Sequence, residues 1–130
     1  DELLKEDSLL PAIYLTQKLD IAVVGIGYPN EKSAIMATGY FKENEIESLI
    51  DRKVAGELCM QFYDIYGDTA PYKDDNNVIG MDISMLRSVP RSIGIAGGVE
   101  KLRAVRGAIN GHYINTLITD IECAEALISE

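Results

Sequence analysis

Positive charge is scarce in this chain. Twelve lysines and arginines stand against twenty-one aspartates and glutamates, giving a formal net charge of −9 over 130 residues. Nucleic acid is gripped through clustered cations, so this segment is not expected to hold it directly, and a small molecule or another protein is the expected partner. Cysteine is limited to Cys59 and Cys123, far apart, among apolar neighbours and in no CxxC or metal-type spacing. They read as reduced core thiols of a cytoplasmic protein. Histidine occurs once, as His112 just after a glycine, with no serine, cysteine and acid around it in a triad-like arrangement. No apolar run approaches membrane-spanning length and no charged leader with a cleavage site opens the chain, so neither membrane insertion nor export is indicated. The chain opens at Asp1 rather than at methionine, as a processed protein or a piece of a longer one does.

What is present is ordinary globular composition, 47% hydrophobic and 25% charged, long enough for one domain with a core. Leu9, Leu10, Ile13 and Tyr14 suggest an opening helix, with Ser8 as its N-cap and Pro11 in the first turn. Asp20 to Gly27 is a continuous apolar run closed by glycine, the pattern of a parallel strand buried on both faces. Tyr28 to Thr38 reads as loop. Ile46, Leu49 and Ile50 keep helical spacing inside Glu43 to Lys53. Ala55 to Tyr63 reads as a strand, Asp64 to Asp68 as hairpin chemistry, Tyr72 to Asn77 as a polar loop, and Val78 to Met81 as a short returning segment. Asp82 to Arg87 fits a helical turn stopped before Pro90.

The last third is a β-α-β-α unit: strand Ser92 to Ala96, helix Val99 to Asn110 stopped at Gly111, strand Ile114 to Ile118, and helix Asp120 to Ser129. Thr119 and Glu122 have capping-box spacing ahead of the final helix. The expected fold is α/β, a mainly parallel sheet flanked by helices with an antiparallel hairpin excursion. Ligands of such sheets bind at the carboxyl ends of the strands, where Gly27 and the Gly97-Gly98 turn both lie.

The densest chemistry is Ser92 to Lys101, a small-residue strand that runs through paired glycines into a helix carrying a lysine on its first turn. Such a turn brings backbone N–H groups close to an anion, and Lys101 can add a point charge. Paired glycines between strand and helix also serve as plain packing chemistry. Arg87, Arg91, Arg103 and Arg106 add local positive charge that could gather around the same anion. Glu57 is an acid on an otherwise apolar strand, suited either to sugar hydroxyls or to solvent. Gly25-Ile26-Gly27 starts like a dinucleotide fingerprint but lacks the third glycine and is followed by Pro29, so nicotinamide and flavin are rejected and no cofactor is expected. Asp64, Asp68, Asp74 and Asp75 lack the register of a calcium loop, so no metal is expected either.

Taken in order, Asp20 to Gly27, Gly39-Tyr40-Phe41, Val54 to Cys59, Phe62-Tyr63-Asp64 with Gly67, Ile79-Gly80-Met81, Leu86-Arg87 with Pro90, Ile95 to Gly98 with Lys101, Arg106-Gly107-Ala108 and Ile114 to Asp120 resemble the effector-binding domain of SorC-type bacterial transcriptional regulators. The resemblance runs from about Leu4 to Ile128. It implies a sugar-phosphate-sensing domain with the fold shared by ribose-5-phosphate isomerase and glucosamine-6-phosphate deaminase. It places ligand phosphate on Lys101 with Gly97 and Gly98 framing the turn, and ligand hydroxyls on Glu57. It further implies that residues 1–130 are the C-terminal portion of that domain. The first half and a helix-turn-helix DNA-binding domain would lie ahead of it, with a homo-oligomer, dimer or tetramer, as the working unit. The competing function is a sugar-phosphate isomerase or deaminase of the same fold, which needs an acid/base pair that only Glu57 begins to supply. A platform for oligomerisation, built on the hairpin around Gly67, is compatible with the sensing role.

Overall fold

The computed structural model describes residues 7–30, 33, 39, 41–76 and 80–129. Its frame is a three-stranded parallel sheet in the order β1 (Ile21–Gly25), β4 (Arg91–Ile95), β5 (Thr116–Ile118). Val23 lies beside Ile93 and Ile93 beside Thr116, while Gly25, Ile95 and Ile118 form the next row. Around the sheet are α1 (Leu10–Thr16), α2 (Glu43–Asp51), α3 (Leu102–Asn110) and α4 (Ile121–Ile128), and apart from it an antiparallel pair, β2 (Gly56–Leu58) with β3 (Gln61–Tyr63). The α/β class, the parallel sheet and the presence of a small antiparallel pair are as the sequence pattern predicts, but the pair turns at Cys59 and Met60 rather than at Asp64 to Asp68, where hairpin chemistry is expected.

Local chemistry explains the element ends. In α2 the Lys42 N–H donates to the Glu45 carboxylate at 2.8 Å, and Ile46 and Leu49 turn into the core. Asp82 accepts from the Ser84 N–H and starts the 3-10 turn Ile83–Ser88. Helix α3 is entered through a single 3-10 turn, Val99–Lys101. It ends at Asn110 with Gly111 at the C-cap, as expected, but Gly111 is right-handed and the left-handed residue is His112 at φ 57°. Gly111 is needed instead for close approach, since a Cβ there would run into the Tyr113 ring.

Four expectations need correcting. Ser8 does not cap α1, whose N-cap position is Leu9 without a side-chain hydrogen bond. The expected strand Ala55 to Tyr63 is a tight hairpin that turns at Cys59 and Met60, both left-handed (φ 52° and 63°) although neither is glycine. The final helix is capped by Asp120, which accepts from the Cys123 N–H at 2.8 Å, rather than by Thr119. Strand β1 is not buried on both faces: Ile21 is 54% and Val23 61% exposed, and Ile95 and Ile118 continue that bare apolar face across the sheet. The segment Val78-Ile79 and most of the loop after Asn30 lie outside the described residues.

The covered face packs on α3 and the hairpin through Ala22, Ile26, Leu58, Tyr63, Val105 and Ala108. A second core gathers Phe41, Ile46, Leu49, Val54, Phe62 and Tyr72, with the Phe41 and Phe62 rings edge to face at 5.3 Å. The two cores meet through the hairpin, because α3 touches it backbone to backbone. A Cβ on Gly107 would stand 2.6 Å from the Asp64 carbonyl oxygen and 2.8 Å from the Tyr63 ring. Gly107→Ala is therefore expected to destabilise by about 1–3 kcal/mol through overpacking, although intrinsic helix propensity alone favours alanine by about 1 kcal/mol. Denaturant midpoints of the two proteins decide the sign, and a stabilised variant would show that this contact yields.

Candidate functional site

Three chain segments converge at the carboxyl ends of β1 and β4. The first is Ile26-Gly27, just past β1. The second is β2, because Gly27 and Glu57 exchange both backbone hydrogen bonds, Gly27 N–H to Glu57 O at 3.0 Å and Glu57 N–H to Gly27 O at 2.9 Å. The third is the turn Ala96 to Lys101 after β4, tied in by the Ile26 N–H donating to the Ile95 oxygen at 3.0 Å. Parallel pairing thus brings residues 26, 57 and 101 to one end of the sheet.

Glu57 is half-buried, and its carboxylate accepts from the Met60 N–H at 3.1 Å across the left-handed turn. Gly27 leaves room for it, since a Cβ on Gly27 would overlap the Glu57 carboxylate. Burial pushes the Glu57 carboxyl above its ordinary range, against the opposing pull of the Met60 N–H and of Lys101. The same burial, with Glu57 nearby, pushes the Cys59 thiol and the Tyr63 phenol up as well. Lys101 reaches back to the strand end, where its ammonium donates to the Ile26 carbonyl at 3.1 Å. The Lys101 ammonium and the partly desolvated Glu57 carboxylate therefore face one another's field at the sheet edge.

The Gly97-Gly98 turn is shaped by a group that the sequence reading left out. Asp120 accepts a short hydrogen bond from the Gly98 N–H with one carboxylate oxygen while the other caps α4. Gly98 is left-handed at φ 93°, and a Cβ on Gly97 would stand 2.9 Å from that carboxylate. Those donors hold the Asp120 carboxyl below its usual range. The N–H groups of Gly97, Val99 and Glu100 make no hydrogen bond among the described residues and remain open donors. The sequence signal at this end of the chain is the Thr119–Glu122 spacing, which points to the wrong cap; the reach of Asp120 to Gly98 depends on β4 and β5 lying side by side.

Three of the four arginines do not gather here; Arg103 is exposed in the first turn of α3, close in sequence to Lys101. Arg87 donates to the Gly111 carbonyl at 2.8 Å and lies over the Tyr113 ring, Arg106 donates to Leu127 O at 3.0 Å, and Arg91 opens β4 at the far end of the sheet. Lys101 carries positive charge into this site without those three. His112 is exposed and distant in the fold from β1's carboxyl end, just past α3. Among the described residues no group of three His, Cys, Asp or Glu could hold a metal ion, and no helix is long and apolar enough to cross a membrane.

Residues 1–129 match a family model described as "Putative sugar-binding domain". The sorbitol operon regulator of Klebsiella pneumoniae is 38% identical over 110 residues, which is 85% of this chain and 35% of that protein. The deoxyribonucleoside regulator of Bacillus subtilis is 31% identical over 118 residues, 91% of this chain and 37% of that protein. The full-length crystal structure of the Klebsiella regulator superposes with a TM-score of 0.86 at 32% identity, covering 98% of this chain and 41% of that one. The chain therefore spans somewhat over a third of the length of the relatives it matches.

Because the folded-state pKa of Glu57 is raised, its contribution to stability is present at acid pH and is lost as pH rises through that folded value. Glu57→Gln, which keeps an acceptor for the Met60 N–H, is expected to gain on the parent protein as pH rises from 4 to 7. Paired urea denaturations across that range measure it, and a difference that stays flat with pH would show that the carboxylate is not desolvated.

Proposed function

The chain belongs to the sugar-binding domain family of SorC-type transcriptional regulators, and we propose that its Lys101–Glu57 edge is the effector site for a phosphorylated sugar. The observation that carries this reading is the convergence of one cation and one partly desolvated carboxylate, from separate elements, on the carboxyl ends of a parallel sheet. A sugar phosphate has both complements: an anion for Lys101 and for the open N–H groups of Gly97, Val99 and Glu100, and hydroxyl donors for Glu57. The relatives are named as regulators of a sorbitol operon and for deoxyribonucleosides, which suits a small polyhydroxylated ligand.

No bond has to be made or broken. The effector's differential affinity for two arrangements of a homo-oligomer, dimer or tetramer, shifts it between operator-bound and released states, with DNA held by a separate domain. The isomerase or deaminase alternative gains nothing from the geometry, since Glu57 is paired with a lysine's field and a backbone N–H rather than with a second acid or base.

The same reading makes residues 1–130 the C-terminal portion of the effector domain. Parallel sheets are stable when both faces are covered, and here Ile21, Val23, Ile95 and Ile118 are bare. The rest of the domain packs on that face.

Calorimetric titration of the full-length protein with a panel of sugar phosphates and their unphosphorylated parents tests the site. Phosphorylated members are expected to bind, with Lys101→Ala weakening them at least tenfold, as loss of a charge-assisted hydrogen bond does. Silence across the panel, or an indifferent Lys101→Ala, overturns it. For the covered face, Val23→Lys is expected to cost the full-length protein about 2 kcal/mol or more; a change within about 0.5 kcal/mol would mean the face stays in solvent.

A further inference from the structure

We propose that Asp120 is a positioning residue of the anion-binding turn, holding it in its binding shape before ligand arrives. The inference rests on the reading that an anion docks beside Lys101. One carboxylate spans two elements: one oxygen holds the Gly98 N–H, and the other accepts from Cys123 N–H at 2.8 Å in the first turn of α4. Helix α4 is in turn anchored, because Cys123 is fully buried and the Arg106 side chain donates to Leu127 O at 3.0 Å. The turn is thus tied to the first turn of a helix that Cys123 and Arg106 hold to the rest of the fold.

The glycines take on distinct roles from this. Gly97 admits the carboxylate, which a Cβ would meet at 2.9 Å, and Gly98 supplies the left-handed φ of 93° that aims its N–H at Asp120. With Gly98 committed, the open donors are those of Gly97, Val99 and Glu100, and they flank it on both sides in sequence. Fixing Gly98 fixes the directions of its neighbours' N–H groups, so the ordering cost is met during folding rather than on binding. Two carboxylates, that of Asp120 and that of Glu100, which also lies against Gly98, stand close to an incoming phosphate and repel it. We infer that the preorganisation outweighs that repulsion.

Asp120→Asn separates the clamp from the cap. Asparagine caps helices as well as aspartate does, but it has one acceptor oxygen, and with that oxygen on Cys123 its NH2 group faces the Gly98 N–H, donor against donor. Asp120→Ser likewise keeps a cap and lacks the second oxygen. In the full-length protein, inorganic phosphate is titrated by NMR amide shifts, alongside the Gly98 amide exchange rate and the thermal midpoint. Both variants are expected to keep the midpoint within a few degrees, to speed Gly98 exchange at least tenfold, and to weaken phosphate binding about fivefold to tenfold. Unchanged or tighter phosphate binding in both variants, beside a weakened Lys101→Ala, overturns the positioning role alone. Phosphate binding that Lys101→Ala also leaves unchanged overturns the anion site, and this role with it.

Discussion

The distance between Lys101 and Glu57 depends on one contact, the backbone-to-backbone seating of α3 on the β2–β3 hairpin. Lys101 is the residue immediately before α3 and Glu57 is the centre of β2, so the separation of helix and hairpin sets the width of the site between them. Small residues make that separation possible. Gly56 faces Ala104, where a Cβ would stand 2.7 Å from the alanine methyl; Gly107 meets the Asp64 carbonyl; and Gly67 lies against the Gly111 backbone. Two tyrosine hydroxyls then fix the register, Tyr63 donating to Ala104 O at 2.9 Å and Tyr113 donating to Gly67 O. Both phenols are held neutral by burial, which keeps them donors.

From that contact the rest of the site follows in steps. The hairpin, seated on α3, offers its outer edge to Gly27 and extends the end of β1 by one antiparallel bridge. Glu57 is drawn partly out of water there, and only a glycine at position 27 gives its carboxylate space. Two residues in left-handed backbone, Cys59 and Met60, close the hairpin and present the Met60 N–H to that carboxylate. Such conformations cost about 1 kcal/mol or more each for non-glycine residues. The arrangement spends stability where the carboxylate is oriented.

Continuous apolar runs with glycine exits identified β1 and β4, helical spacing identified α2, and the strand-helix-strand-helix pattern from Ser92 onward was read almost complete. Glu57, an acid on an apolar strand, and Lys101, after paired glycines, stand out from the residues themselves, the family resemblance supplies their ligand roles, and the fold brings both to the same end of the sheet. Periodicity could not reveal the hairpin inside Ala55 to Tyr63, because a turn at Cys-Met carries none of the Asn, Asp or Gly signals on which such readings depend. Nor could it reveal which face of β1 is covered, since Ile21-Ala22-Val23-Val24 looks the same buried on one side or two. Closeness in sequence groups the arginines, but the fold carries Arg87, Arg91 and Arg106 away, since β4 puts Arg91 at the opposite end of the sheet from Lys101 and Arg87 and Arg106 bond to Gly111 and Leu127.

The account turns on where a phosphorylated sugar sits and what holds each end of it. The most direct measurement is a crystal structure of the full-length protein with a bound sugar phosphate. The account predicts the phosphate within hydrogen-bonding distance of the Lys101 ammonium and of N–H groups between Gly97 and Glu100, with a ligand hydroxyl on the Glu57 carboxylate. A ligand bound elsewhere, with Lys101 still on the Ile26 carbonyl and Glu57 contacting only the Met60 N–H, would contradict it.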